Sequence, residues 1–172
     1  MKLTDYSDYA LRSLIYLAVK PDPQALANIS DIADSYQISK SHLTKIIQQL
    51  GQLDYIETIR GKNGGIRLAK DPKDINLGAL IKQIEPDFAL VECFVDTVPS
   101  NDSAEKKGLS ITLINETDTE SSLFSKNGCV ISPVCRLKGV FFEALTAFIT
   151  VLENYTLADI ISNKLQLAEI LN

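Results

Sequence analysis

Residues 43–68 read LTKIIQQLGQLDYIETIRGKNGGIRL, and this stretch decides the fold. Leu43, Ile46, Ile47 and Leu50 recur at helical spacing, so one stripe of the segment packs inward. Two short β-prone runs follow, 55–59 and 66–69, joined by a glycine-rich, basic tip. Gly61, Gly64 and Gly65 permit the positive backbone angles of a tight connection. A helix followed by a basic hairpin is the outline of a winged helix-turn-helix, an architecture that reads nucleic acid.

Upstream, SDIADSYQIS at 30–39 offers Ser30 as a helix cap, Ile32 and Ala33 for the core, a turn at Gln37 and Ile38, and Ser39 as a second cap. With the apolar stripe of the next helix turned inward, Lys40, Ser41, His42, Thr44 and Lys45 face outward together with Ser39. These are side chains that bond phosphate oxygens or base edges from the first turns of a recognition helix. At the hairpin, Arg60, Lys62, Asn63 and Gly64, with Arg67 behind them, are suited to close approach to a minor groove. A phosphate-cradling nucleotide loop is discarded, because GKNGG lacks the GxxxxGK[ST] spacing and no helical pattern follows it directly.

Taken whole, the composition opposes DNA binding. The 172-residue chain carries a net charge of -5 with a pI near 4.9. Divided along the chain, the balance changes: residues 1–70 hold nine Lys and Arg against seven Asp and Glu, net +2, while residues 71–172 hold eight against fifteen, net -7. The acidic part is therefore expected to face away from the nucleic acid. Asp5, Asp8 and Arg12 interrupt any signal-peptide core, and no run approaches a membrane span, so a cytoplasmic protein is expected. Three cysteines fit a reducing compartment, where thiols bind metal or lie buried, better than a disulfide scaffold. The lone histidine falls in the recognition helix, and there is neither a nucleophile–base pair nor a nucleotide fingerprint, so an enzyme is not expected.

The mainly α chain divides into three segments. Residues 1–86 form the DNA-binding unit: a first helix at 9–19, broken by PDPQ at 21–24, then the helix-turn-helix and wing, a turn at DPKDIN and a short helix in LGALIKQIEP. Residues 87–131 form a loop that includes the polar, turn-rich segment 94–128. Residues 132–172 begin with Ser132 as cap and Pro133 at the first helical position, which places Cys135 at the third. Val134, Leu137, Phe141, Ala144, Leu145, Phe148, Val151 and Leu152 then recur along a helix whose apolar face is too wide for the N-terminal unit to cover. A homodimer built on this long helix is expected, with packing back on its own domain as the alternative. TLADII, with Thr156 and Asp159 as a capping pair, and KLQLAEILN close the chain as short helices.

Spacing alone leaves the cysteines open. CVISPVC at 129–135 matches neither a CxxC zinc signature nor a ferredoxin run, and two nearby cysteines are as well explained as buried thiols. Yet LTDYSDYALRSLIYLA, SKSHLTKIIQQL, IRGKNGGIRL, LVEC, CVISPVCRLK and NYTLADI stand in collinear order. Together they resemble the bacterial winged-helix iron–sulfur regulators, and among these the nitric-oxide-sensing repressors. The resemblance implies a dimer on an inverted-repeat operator in double-stranded DNA. It implies a 4Fe–4S cluster in preference to 2Fe–2S, held by Cys93, Cys129 and Cys135, with nitric oxide as the signal and its detoxification genes as targets. The fourth ligand it implies is Asp8 from the other subunit; a histidine three residues past the last cysteine serves another branch, and Lys138 stands there in this chain. One departure is plain. The family separates its first two cysteines by about five residues, and here 35 intervene, a lengthening that costs only about 1.7 kcal/mol by the logarithmic rule. Within the same fold, oxygen, redox state or iron supply are alternative signals; a redox enzyme or electron carrier would leave the basic wing unexplained.

Overall fold

The structure is a computed structural model, and it describes residues 3–88, 90, 130–131 and 134–171. Cys93, Cys129, Ser132, Pro133 and the segment 94–128 lie outside the described residues. The described elements are α1 (Asp5–Ala18), α2 (Ile29–Tyr36), α3 (Lys40–Gln52), β1 (Ile56–Ile59), β2 (Gly65–Leu68), a 3-10 turn (Pro72–Asp74), α4 (Leu77–Ile84), α5 (Arg136–Glu153), α6 (Leu157–Ile160) and α7 (Lys164–Leu171).

Helix α1 starts four residues before the expected 9–19, because Thr4 caps it: the hydroxyl accepts from the Ser7 amide at 3.3 Å. Asp5 and Asp8 in the first turn add charge that suits the helix dipole. Helix α2 corrects the assignment of Ser30 as a cap. Asn28 is the capping residue, its amide donating to the Asp31 carboxylate at 3.2 Å, and Ser30 lies inside the first turn. The turn of the helix-turn-helix falls at the expected Gln37 and Ile38. Gln37 takes the left-handed conformation (φ 54°), its amide donates to Asp34 O at 3.3 Å, and the amide of buried Ile38 donates to Ala33 O at 2.9 Å. The same wrap ends α3, with Asp54 at φ 58° and the Tyr55 amide on Leu50 O at 2.9 Å.

Between these two stops α3 presents Leu43, Ile46, Ile47 and Leu50 to the core, as the spacing requires. They meet Ala10, Leu14 and Leu17 of α1, Ile32 and Ala33 of α2, and Ile66 of the hairpin in one apolar cluster. The hairpin pairs antiparallel in the register Ile56↔Leu68, Glu57↔Arg67, Thr58↔Ile66 and Ile59↔Gly65. Of its three glycines only Gly61 has a positive φ, at 127°. Gly64 is required by space instead: a Cβ there would stand 2.2 Å from the Ile59 carbonyl oxygen.

The core extends without a break into the C-terminal helices, since Leu145, Ile149, Leu157 and Ile161 belong to the same cluster. Asn76 joins the two parts by capping one helix and ending another. Its Oδ1 accepts from the Ala79 amide at 2.9 Å, and its Nδ2 donates to Glu153 O at 2.6 Å, at the end of α5. Backbone bonds from Leu77 to Tyr155 O (3.0 Å) and from Leu157 to Ile75 O (2.8 Å) flank it, and Lys82 pairs with Glu153 at 2.5 Å. The helices approach so closely that a Cβ on Gly78 would lie 2.7 Å from the Glu153 amide nitrogen.

Helix α5 differs from the expectation at its start. Val134 closes a turn onto Ile131 O at 3.1 Å, Cys135 is extended (φ -78°, ψ 108°), and the helix begins at Arg136. Cys135 is thus the cap residue, not the third helical position. The inward stripe is also narrower than the sequence pattern. Leu145 and Ile149, with Phe148 and Leu152, pack on the chain's own core, whereas Val134, Leu137, Ala144 and Val151 of the expected face are exposed. Thr156 and Asp159 cap α6 as read, the Asp159 carboxylate accepting from the Thr156 amide and hydroxyl, both at 2.7 Å.

At the α4–α5 contact the close approach gives a directional prediction. Gly78→Ala is expected to lower stability by about 1–3 kcal/mol in urea unfolding through overpacking, although alanine is the better helix former. Gly139→Ala, where nothing among the described residues lies within 4 Å of the added carbon, is expected to raise it by up to about 1 kcal/mol.

Candidate functional site

Two groups of side chains make up the candidate site, one on the reading head and one at the first turn of α1. On α3, Lys40, Ser41, His42, Thr44 and Lys45 are exposed, with Ser39 exposed at the cap. The Ser39 hydroxyl bonds Ser41 Oγ at 2.8 Å and not a helix amide, which leaves the first-turn N–H groups available to an anion. Lys40 Nζ donates to Ser30 Oγ at 2.7 Å, and the Thr44 hydroxyl donates to Lys40 O at 2.8 Å, so its methyl and its oxygen lone pairs remain for a ligand. Gln48, exposed one turn beyond Thr44, continues the face and was missed; a step of four from Thr44 was the signal.

On the hairpin, Arg60, Lys62 and Asn63 are exposed at the tip. The Gly64 amide donates to Gly61 O at 3.0 Å and closes the turn that carries them. Arg67 is placed differently from the other wing cations. It is only a quarter exposed and pairs with Glu57 at 2.8 Å.

The second group surrounds Asp8. Arg12, one turn along α1, reaches both carboxylate oxygens of Asp8, from Nε at 3.1 Å and from Nη2 at 2.8 Å. That hydrogen bond, more than any other influence, holds the Arg12 guanidinium above its usual range. Arg12 also lies 5.7 Å from the centre of the Tyr36 ring at the end of α2, and burial raises the Tyr36 phenol. Tyr6, on the same turn as Asp8, donates its hydroxyl to Lys45 O on the recognition helix at 3.3 Å, and burial raises its phenol too.

Glu85 went unnoticed in the sequence and is the best-partnered carboxylate of the region. It is buried at the end of α4. Its Oε2 accepts from Ser7 Oγ at 2.6 Å and from the amide and hydroxyl of Thr4, both at 3.1 Å. Nothing local marks it, since a glutamate before Pro86 reads as an exposed helix end. Seven residues separate this anchored carboxylate from Cys93.

Cys135, the described cysteine, is free and half-buried where α5 begins. Among the described residues no three His, Cys, Asp or Glu side chains converge on a metal position. Two of the four expected ligands, Asp8 and Cys135, are therefore placed, and the other two lie outside the described residues.

No helix among the described residues is long and apolar enough to cross a membrane. Residues 3–120 match the Rrf2 family, described as iron-dependent transcriptional regulator. The chain is 47% identical to the HTH-type transcriptional regulator NsrR of Bacillus subtilis over 171 residues, covering 99% of this chain and 97% of that protein. It is also 47% identical to NsrR of Bacillus licheniformis, over the whole of both chains. Among solved structures it resembles the B. subtilis global cysteine regulator CymR, with a TM-score of 0.61 at 21% identity over 95% of this chain and 98% of that one. It also resembles IscR of T. potens, with a TM-score of 0.58 at 18% identity over 95% and 88%. At such identities the structures speak for the shared winged-helix fold alone. From the family match and the full-length relatives together, the chain belongs to the Rrf2 family of transcriptional regulators.

Proposed function

We propose that this regulator is a cytoplasmic, dimeric repressor, not an enzyme, that binds an inverted-repeat operator and senses nitric oxide through an iron–sulfur cluster, in order to control nitric oxide detoxification genes. The single observation that carries the reading is the first turn of α1. There Asp8, Tyr6 and Ser7 are neighbours in sequence, and they point to Arg12, to the recognition helix and to the segment that leads to Cys93.

The ligand set is Cys93, Cys129, Cys135 and Asp8 of the other subunit. The donors described fit this role: a free, half-buried thiol on a capping residue and a half-exposed carboxylate. Thiolates are soft ligands suited to iron–sulfur clusters. Each Asp8 oxygen gives one lone pair to Arg12 and keeps another. When bound, a 4Fe–4S cluster supplies iron that combines with nitric oxide. The chain's own part is positional. Arg12 orients Asp8, Glu85 fixes the turn that carries it, and Tyr6 ties that turn to α3. A difference of about 1–3 kcal/mol in how two states hold α1 changes DNA affinity about 5- to 150-fold.

On DNA, Ser39, Lys40, Ser41, His42, Thr44 and Lys45 enter a major groove, and Arg60, Lys62, Asn63 and Gly64 reach the flanking minor groove. In a two-fold dimer the recognition helices meet half-sites about 34 Å apart. The exposed Leu137, Val140 and Phe142 of α5 supply apolar surface for such a dimer.

Two measurements test the proposal. Protein purified without oxygen is expected to contain iron and sulfide, to lose most of both in Cys93→Ala, Cys129→Ala and Cys135→Ala, and to release DNA on addition of nitric oxide. Release by oxidation but not by nitric oxide would move the reading to a redox or iron signal, in keeping with the family's description. Separately, Arg60→Ala and Lys62→Ala are each expected to weaken DNA binding and to lower the slope of log affinity against log salt by about 0.9. An unchanged slope in both variants would remove the wing from the interface.

A further inference from the structure

Arg67 stands on β2 directly opposite Glu57 on β1. Its Nε and Nη2 both reach Glu57 Oε2 at 2.8 Å, and its Nη1 donates to Gln24 Oε1. Every nitrogen of the guanidinium thus has a protein acceptor, and its charge is opposed by a carboxylate. The cations at the tip are in a different position, since Arg60 and Lys62 are exposed and no ion pair holds either among the described residues.

The far end of this bridge is itself anchored. Gln24 lies in the connection between α1 and α2, where its amide donates to Asp22 Oδ1 at 2.8 Å and the Ala25 amide donates to Asp22 O at 3.0 Å. Three residues on, Ala27 exchanges two backbone bonds with Ile66 of β2, both 2.9 Å. The middle of β2 is therefore tied to this connection at two consecutive residues, through the backbone of Ile66 and the side chain of Arg67.

We propose that Gln24, Arg67 and Glu57 form a clamp that sets the pitch of the wing, so that Arg67 is a positioning residue for DNA binding and not a phosphate contact. The inference rests on the reading that the wing touches DNA, and it changes what one of the wing's three basic residues does there. A cation already neutralised within the protein displaces no counterion from DNA, so its removal leaves the salt dependence unaltered. Loss of a tip cation lowers that dependence.

The test uses the full chain, a duplex of about 30 base pairs of random sequence and a potassium chloride series, with affinity read by anisotropy. The double variant Glu57→Thr with Arg67→Thr removes the clamp without changing net charge and leaves a cross-strand threonine pair that suits a sheet. Gln24→Ala cuts the other end and touches no charge. Both are expected to weaken binding about 3- to 10-fold, about the net worth of one hydrogen bond, with the parent's salt slope. Amide hydrogen exchange is expected to quicken at Gly64 and Ile66 while the amides of α3 keep the parent's protection, a pattern that general loss of stability does not give. A slope lowered by about 0.9 in the double variant, as for Arg60→Ala, would make Arg67 a phosphate contact and overturn the proposal. Unchanged affinity in both variants, or faster exchange throughout α3, would overturn it as well. If Arg60→Ala and Lys62→Ala leave the slope unaltered, the wing's contact with DNA fails and the clamp's role fails with it.

Discussion

The buried carboxylate of Glu85 and the three donors that meet it at Thr4 and Ser7 fix the point on which the rest of the structure turns. A buried carboxylate left without donors is costly, and hydrogen bonds to a charged group are worth about 1.5–3 kcal/mol each. The end of α4 and the start of α1 therefore hold one another in place. That start cannot move alone, because Tyr6 rests on the Lys45 carbonyl of α3 and Asp8 is held by Arg12, which faces Tyr36. One helical turn thus touches the reading helix, the end of α2 and the segment that runs on toward Cys93.

A second junction holds α5 against this unit. Asn76, Gly78 and Lys82 all meet Glu153, so the C-terminal part of the long helix behaves as part of the DNA-binding unit's own core. Its earlier turns carry Leu137, Val140 and Phe142 out into solvent. Of the two alternatives raised by the apolar pattern, packing back on its own domain holds for the later turns of the helix, and the exposed earlier turns are the surface on which the proposed dimer rests. Charge follows the same division, since the cations of the recognition helix and wing lie before residue 71 and the acidic excess lies after it.

The reading head was legible in the sequence because its signals are local. The inward stripe Leu43, Ile46, Ile47 and Leu50, the turn at Gln37 and Ile38, and the two strands of the hairpin, each to within one residue at its ends, all follow from spacing within a few residues. Caps were less secure, since several polar residues compete near each helix start. Ser30 gave way to Asn28, which has Asp31 three residues on, and Ser132 was offered as a cap where the helix begins only after Cys135. Glu85, Gly78 and the Arg67 clamp owe their roles to partners 10 to 81 positions away or to a neighbouring helix, and no local pattern shows that. For the cysteine site, residue type named the thiols, while the ligand set and the part of Asp8 came from resemblance to relatives. Of that set the fold places Asp8 and Cys135.

The account's central claim is that Asp8 of one subunit completes a site built on the cysteines of the other. Mixing two defective proteins tests it most directly: one carries Asp8→Ala, the other has Cys93, Cys129 and Cys135 all changed to serine, and subunits are allowed to exchange without oxygen before iron is measured. If the carboxylate acts across the dimer, each mixed dimer has one complete set of donors, and the mixture gains stably held iron approaching roughly a quarter of the parent's. A mixture that holds no more iron than the average of its two components would contradict the account.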